Sequence, residues 1–201
     1  MTVTDRAPDG ISHLLYLHGF RSSPQSTKAR LVADWVAIHR ADLTWCCPQL
    51  PPSPREAIAL IDTLVADWPR ERMAVIGSSL GGFYAGVVAE RYGCPAVFLN
   101  PAVDPARDLA RHVGPMTAWH SDEPFVFRAE YIDELRSMTP PRLTAPQRHY
   151  AVIAKGDEVL DWREMVAFVA GAQVRLLEGG DHAIGDFPVY LPEVMGFLGL
   201  G

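Results

Sequence analysis

The sequence predicts an α/β protein built on a six-stranded, mainly parallel sheet with helices on both faces. Short apolar runs typical of buried strands alternate with segments typical of helices along most of the 201 residues. One of these strands, at residues 73–76, runs into a glycine-flanked serine, and a helix follows at once. No internal repeat, low-complexity tract or second domain boundary interrupts the pattern, so we expect a single domain over residues 1–201.

The first part of the chain contains two strand and helix pairs. Apolar runs predict the first strand at residues 13–17 and the second at 43–47. A serine-proline pair predicts the start of a helix over residues 23–40, which has an imperfect apolar face. Residues 53–56, Ser-Pro-Arg-Glu, form a capping box with proline at the first helical position. Apolar residues at helical spacing continue this second helix to Trp68.

The rest of the chain repeats the alternation. Each further strand is predicted by a short apolar run, and each further helix follows a strand and the loop after it. The strands are predicted at residues 73–76, 96–99, 150–154 and 174–177, and the helices at residues 83–92, 162–170 and 188–198.

The alternation breaks over residues 104–148. Asp104 and Pro105 predict a short helix, residues 114–124 are predicted to be irregular, and residues 131–135 predict a further helix. An excursion of this length inside a compact α/β domain is typical of a lid or a binding segment. A surface excursion with its own small cluster is the alternative. We expect a lid-like segment at about 104–148.

Composition narrows the classes of function. The net charge of −6 and the pI near 5.6 argue against a protein that coats nucleic-acid phosphates, because such proteins show a basic face. The polar first ten residues predict neither a signal peptide nor a membrane anchor, and the apolar runs fall short of a bilayer span. Three cysteines do not form the even framework of a secreted disulfide scaffold. We therefore expect a cytoplasmic protein with no nucleic-acid partner and no membrane span, and leave its oligomeric state open.

Residues 77–81, Gly-Ser-Ser-Leu-Gly, match the G-x-S-x-G turn between a strand and a helix. A strand that reverses sharply into a helix holds the central residue in a strained conformation, and side chains at Gly77 and Gly81 would collide across the turn. Ser79, at the apex, is therefore the candidate nucleophile, with Ser78 as its nearest competitor. A serine hydroxyl is a poor nucleophile, so it needs a histidine, an orienting acid and donors for an oxyanion.

The pairing of residues 18–23, His-Gly-Phe-Arg-Ser-Ser, with residues 77–82, Gly-Ser-Ser-Leu-Gly-Gly, resembles the small bacterial YqiA/YcfP-like (UPF0227) esterases. From His13 onward the chain is similar to a compact α/β-hydrolase. The resemblance implies the strand order 2-1-3-4-5-6, in which strands 1 and 3 meet at the switch point where ligands bind. It also implies hydrolysis of short acyl esters or thioesters without a cofactor.

The same fold predicts where a base and an acid for the candidate nucleophile lie in the sequence. His182 follows the last strand in a Gly-Gly-Asp-His loop, and chain order becomes Ser, Asp, His as this fold requires. Asp157, in a loop that resembles the family's acid loop, is the candidate acid. Asp161 is the alternative, although it has a structural use in a capping box with Glu164. Glu158 is a weaker third candidate.

The loops after strands 1 and 3 supply further candidates. The backbone N–H groups of Phe20 and Leu80 are the expected oxyanion donors, and His18 is expected to brace the first loop. Arg21 is a candidate contact for a carboxylate or phosphate, with an exposed ion pair as the alternative. Aromatic residues of the excursion are candidates to cover an acyl group, with packing of the lid as the alternative: Trp119, Phe125, Phe127 and Tyr131.

No H-x-x-x-H or C-x-x-C spacing is present, so no metal is expected. The sequence predicts a serine hydrolase of the carboxylesterase type. An amidase, an acyl-CoA thioesterase or acyltransferase, and a non-catalytic binding module on the same fold remain the alternatives.

Overall fold

The computed structural model describes residues 10–117, 124–138 and 142–201. In this part of the chain the strands are β1 (His13–Leu17), β2 (Thr44–Cys46), β3 (Met73–Ser78), β4 (Ala96–Leu99), β5 (Gly114–Thr117), β6 (Pro124–Phe127), β7 (His149–Ala154) and β8 (Gln173–Leu177). The α-helices are α1 (Thr27–His39), α2 (Pro54–Leu64), α3 (Leu80–Tyr92), α4 (Pro105–Leu109), α5 (Glu130–Met138), α6 (Trp162–Phe168) and α7 (Phe187–Phe197).

Six strands form one parallel sheet in the order β2-β1-β3-β4-β7-β8. Among themselves these six strands keep the predicted order 2-1-3-4-5-6, and the numbering differs because β5 and β6 lie in a separate hairpin. The chain leaves β1 toward β2 on one side and returns to β3 on the other. The loops after β1 and β3 therefore separate at a switch point, where a ligand can enter.

Both faces of this sheet are buried. In β1, Leu15 and Leu17 belong to one apolar core, and Leu14 and Tyr16 belong to the core on the opposite face. The first core is covered mainly by α2, α3 and α6, and the second by α1 and α7. Because both faces are covered, the four central strands β1, β3, β4 and β7 are nearly continuous apolar runs, which is why the sequence indicated them clearly.

The prediction that residues 114–124 are irregular was wrong for residues 114–117 and for Pro124. Residues Gly114–Thr117 pair antiparallel with Pro124–Phe127, so that Gly114 lies opposite Phe127. Gly114 and Pro115 are residues typical of loops, and their strand forms only because β6 pairs with it. The preferences of individual residues say nothing about a partner strand, so the sequence pattern did not predict this pairing.

The start of α1 also differs from the prediction. The helix begins at Thr27, with Ser26 in the N-cap position, three residues after the predicted serine-proline start. Ser23 instead accepts a hydrogen bond at 3.1 Å from the backbone N–H of Gln25. A serine that caps a local turn uses the same interaction as a helix N-cap, so the sequence pattern alone does not separate the two.

The excursion over residues 104–148 is attached to the rest of the molecule by a buried carboxylate. Glu134 of α5 accepts hydrogen bonds from Ser53 Oγ at 2.8 Å and from the N–H of Arg55 at 3.0 Å, both at the start of α2. Phe127 and Leu135 are buried in the core beneath it. The interpretation of this segment as a lid and the assignment of one domain to the whole chain stay predictions.

Candidate active site

The turn between β3 and α3 has the strained geometry that the sequence predicted. Ser79 lies at φ 56° and ψ −122°, a conformation that is rare for a residue with a side chain. A Cβ added at Gly77 would lie 2.1 Å from Gly81 O, and one added at Gly81 would lie 1.9 Å from Leu17 O. Glycine is therefore required at both positions, because the first turn of α3 approaches the backbone of β3 at Gly77 and the backbone of β1 at Gly81.

Three side chains from separate loops form a continuous hydrogen-bonded row. His182 Nε2 lies 2.9 Å from Ser79 Oγ, and His182 Nδ1 lies 2.7 Å from Asp157 Oδ2. The Asp157 side chain is fully buried, and that of His182 is 21% exposed. Since an ionised carboxylate only accepts hydrogen bonds, Nδ1 carries the proton and Nε2 presents its lone pair to the serine hydroxyl.

The loop after β7 holds Asp157 in position for this contact. Its Oδ1 accepts hydrogen bonds at 2.8 Å from the backbone N–H groups of Val159 and Leu160, which leaves Oδ2 for His182. Both oxygens of a buried carboxylate are thus satisfied. The carboxylate cannot rotate away from the imidazole without losing these backbone partners.

The other acidic candidates serve different contacts. Asp161 caps α6 and accepts a hydrogen bond at 2.8 Å from the N–H of Arg163. Glu164, predicted to complete a capping box with Asp161, instead binds Arg107 through two bonds of 2.8 and 2.7 Å. Glu158 accepts a bond at 3.0 Å from the backbone N–H of His182 and so touches the backbone of that residue.

Two further residues, which sequence reasoning missed, hold the loop that carries His182. Asn100, fully buried after β4, donates through Nδ2 to the carbonyl oxygens of Asp181 and His182, both at 3.1 Å. Its Oδ1 accepts a bond at 2.8 Å from the N–H of Ala154. Lys28 Nζ donates to the carbonyl oxygen of Ala183. A polar residue directly after a wholly apolar strand was the available signal for Asn100, whereas nothing in the pattern around Lys28 marked it.

Lys28 is a half-buried cation beside this row. Burial lowers the pKa of Lys28 to about 8, and the nearby carboxylates of Asp181 and Asp157 oppose the shift. The ammonium group therefore carries its charge at neutral pH at a cost in free energy, which the contact with the His182 loop partly offsets.

The loop after β1 lies directly against the serine. A Cβ added at Gly19 would lie 3.2 Å from Ser79 Cβ, so the backbone of this loop reaches the front of the nucleophile turn. His18 accepts a hydrogen bond at Nε2 from the N–H of Leu50 at 3.1 Å, and its Nδ1 lies 3.0 Å from Gly19 O. These bonds agree with the predicted bracing of the loop. Leu80 is the first residue of α3, so its N–H has no acceptor within the helix.

Ser79 and His182 lie between two cavities. One, of about 520 Å³, opens toward α4 and the loop after β7, and we call it the α4 cavity. The other, of about 510 Å³, opens toward the start of α1 and includes Lys28. A third cavity of about 950 Å³ adjoins both at Phe20 and lies over the loop after β2. A bound molecule can therefore extend to either side of the serine hydroxyl.

The predicted substrate contacts lie at different depths. Arg21 lines the α4 cavity, and Phe125 lines the third cavity. Phe127 is only 1% exposed and packs against Phe20, with the ring centroids 5.1 Å apart, while Tyr131 packs against Phe127 at 5.5 Å. The positions of Phe127 and Tyr131 favour the packing alternative, and contact of any of these residues with a substrate stays a prediction.

Trp119, the remaining predicted contact, lies outside the described residues. Within the described ranges, no three histidine, cysteine or acidic residues come together in a group that could hold a metal ion. No helix in the described part of the chain is long and apolar enough to cross a membrane.

The sheet order, the strained turn after β3 and the loops that meet there define an α/β-hydrolase by fold. The chain belongs to the uncharacterised protein family UPF0227, whose family model matches residues 13–199. Its fold is similar to that of a hydrolase from Agrobacterium vitis S4, with 14% identity, a TM-score of 0.72, and coverage of 94% of this chain and 90% of the other. Est1E from Butyrivibrio proteoclasticus shares 13% identity, with a TM-score of 0.65 and coverage of 93% of this chain and 86% of Est1E. The esterase domain of a Rhodothermus marinus protein shares 15% identity, with a TM-score of 0.64 and coverage of 100% and 90%.

Proposed function

We propose that this protein is a serine hydrolase that cleaves carboxylic esters or thioesters of small acyl groups through an acyl-enzyme. The observation that carries the proposal is the row in which His182 bridges Ser79 and Asp157 at 2.9 and 2.7 Å. Ser79 acts as nucleophile, His182 as general base and Asp157 as the acid that orients the imidazole.

In the first step Ser79 Oγ attacks the carbonyl carbon of the substrate, and neutral His182 takes the hydroxyl proton at Nε2. The imidazolium that forms is stabilised by the buried Asp157 carboxylate at its Nδ1–H. The carbonyl oxygen becomes an oxyanion, which accepts hydrogen bonds from the N–H groups of Phe20 and Leu80. Each such donor contributes about 3 kcal/mol in the transition state.

In the second half of the reaction the tetrahedral species collapses and His182 returns the proton to the leaving alcohol or thiol. Water then attacks the acyl-Ser79 carbonyl, again with His182 as the base. The second tetrahedral species expels Ser79 Oγ, which takes the proton back from His182, and the acid product leaves. The two cavities beside Ser79, of about 520 and 510 Å³, give room for an acyl group on one side and a leaving group on the other.

Ester chemistry is further supported by the similar structures, since the Rhodothermus marinus one is named as an esterase domain and one structure of Est1E contains ferulic acid. These relatives are 13 to 15% identical, so the acyl group and the leaving group are our own proposal. The cytoplasmic location that the cysteine usage favours is likewise proposed.

Reaction with a fluorophosphonate probe tests the nucleophile. We expect the wild-type protein to gain one adduct by mass spectrometry, located on Ser79, and Ser79→Ala to gain none. Ser78→Ala is the matched control, because Ser78 is the buried neighbour in the same turn, and it should be labelled like the wild type. A panel of p-nitrophenyl esters, thioesters and anilides of equal acyl length then ranks the substrate classes.

The outcomes separate the alternatives. An unlabelled wild-type protein, or full turnover by Ser79→Ala, would contradict the proposed mechanism and favour a binding module. Cleavage of anilides at rates comparable to esters would favour an amidase. Faster cleavage of acyl-CoA than of simple esters would favour an acyl-CoA thioesterase.

A further inference from the structure

The α4 cavity has a basic wall on an acidic protein. The net charge of the chain is −6, yet the described residues that line the cavity include three arginines, Arg21, Arg107 and Arg111, and one carboxylate, that of Asp108. A cleft lined by one sign of charge with apolar walls concentrates ligands of the opposite charge.

Among the described residues, two carboxylates near this wall bind one of the three arginines. Arg107 Nε donates to Asp108 at 2.8 Å, and its two terminal nitrogens bind Glu164 at 2.8 and 2.7 Å. Arg107 is thus engaged by two carboxylates and acts as a structural cation between α4 and α6. The Asp108 carboxylate is therefore bound by Arg107 and not by Arg111.

Arg21 and Arg111 converge on one end of the cavity, near His112 and Phe20. Arg111 Nε donates to His112 Nε2 at 3.3 Å, and the His112 ring lies 5.8 Å from that of Phe20. Arg21 Nε donates to Thr117 O at 2.6 Å, which fixes its guanidinium against β5. Burial lowers the pKa of His112, and the two arginines lower it further, as expected if both cations face the same imidazole.

We propose that Arg21 and Arg111 form a binding subsite for an anionic group on the substrate, a carboxylate or a phosphate, at the end of the α4 cavity. This inference rests on the proposed function. Leu109 and Leu160 line the cavity beside Ser79 and contact the carbon chain between the reactive carbonyl and the anion. A guanidinium presents paired N–H donors that match either anion, so the subsite selects acidic esters over neutral esters of the same length.

Two esters that differ in one terminal charge test this preference. We expect kcat/KM for p-nitrophenyl hemiglutarate to exceed that for p-nitrophenyl pentanoate by about tenfold or more, through KM. Arg111→Gln and Arg21→Gln should each reduce this ratio by about tenfold. Arg30→Gln, which removes an exposed arginine of α1, is the control and should keep the wild-type ratio. Raising NaCl from roughly 50 to 500 mM should reduce the wild-type preference, because the guanidinium groups are partly exposed.

Calorimetry on Ser79→Ala separates the subsite from the reaction. If this variant binds hemiglutarate ester and Arg111→Gln removes the binding, the subsite stands even where the wild-type protein hydrolyses neither ester. If the wild-type protein hydrolyses both esters with equal kcat/KM and neither glutarate nor inorganic phosphate inhibits it, the subsite is wrong and the hydrolase proposal stands. Inhibition by inorganic phosphate but not by glutarate, lost in Arg111→Gln, assigns the subsite to phosphate, and the reverse assigns it to carboxylate.

Discussion

Asp157 and Asp161 lie four positions apart, and their backbone environments separate their roles. Asp157 Oδ1 is held by two backbone N–H groups, so Oδ2 faces His182, whereas Asp161 points to the first turn of α6. Both residues accept hydrogen bonds from nearby N–H groups, which is the usual behaviour of aspartate in a loop. The distinction between them depends on which carboxylate reaches the imidazole.

Substitution of these two aspartates by asparagine measures the difference. In Asp157→Asn the amide would donate to Nδ1 of His182, so the proton would move to Nε2, which could no longer accept the Ser79 proton. We expect kcat for an ester substrate to fall by about 10⁴-fold. Asp161→Asn keeps a good N-cap residue and should change kcat by less than about twofold. Equal, small effects on kcat would contradict the assignment of Asp157 as the acid.

At the level of elements, the site is assembled by one rigid turn and one loop held by long-range contacts. The turn between β3 and α3 is defined locally, since Gly77 and Gly81 leave no room for side chains. The loop after β8 has only a local turn, in which Asp181 accepts hydrogen bonds from the N–H groups of Ile184 and Gly185. Asn100 and Lys28 instead bind three consecutive carbonyl groups, so β4 and α1 determine where His182 lies.

In Lys28→Met we expect the free energy of unfolding to rise and kcat to fall. With its pKa lowered to about 8 by burial, charged Lys28 destabilises the folded state below about pH 8, and this cost disappears as pH rises toward the unfolded value. At pH 7 we expect the free energy of unfolding to rise by about 2 kcal/mol. This is a net value, from which about 1 kcal/mol for the lost contact with Ala183 has been subtracted. We expect kcat to fall about tenfold as the His182 loop loosens.

Urea denaturation at several pH values supplies the check on Lys28→Met. The stability advantage of the variant should disappear by about pH 10, because the wild-type lysine is neutral there. An advantage that does not change between pH 7 and 10 would show that burial of the charge is not its cause.

At the level of the whole molecule, a buried histidine in the sheet makes the free energy of unfolding depend on pH. His149, 2% exposed at the start of β7, accepts a hydrogen bond at Nδ1 from the N–H of Ala96 at 3.2 Å. Burial lowers its pKa to about 4. The folded protein therefore holds this ring neutral at a pH where the unfolded chain already binds a proton.

The free energy of unfolding should consequently fall as pH drops from about 6.5 toward 4. The contribution of His149 to this loss is about 2 kcal/mol at pH 5, since the unfolded state binds the proton first. In His149→Asn, whose Oδ1 can accept the same Ala96 N–H, urea denaturation should show a weaker pH dependence over this range. His39→Asn, at an exposed site, is the control. Parallel pH curves for His149→Asn and the wild type would exclude His149 as the source.

The sequence determined the alternation of strands and helices and the position of Ser79, because these depend on residues within one or two turns of each other. Only the tertiary structure decided which aspartate meets His182 and that Asn100 and Lys28 hold its loop. These contacts join residues 25 to 155 positions apart, so they depend on strand order and packing. The same holds for the β5 and β6 hairpin and for the placement of Arg21 and Arg111 along one cavity. Local preferences are short-ranged, whereas a site at a switch point is assembled from the ends of several strands.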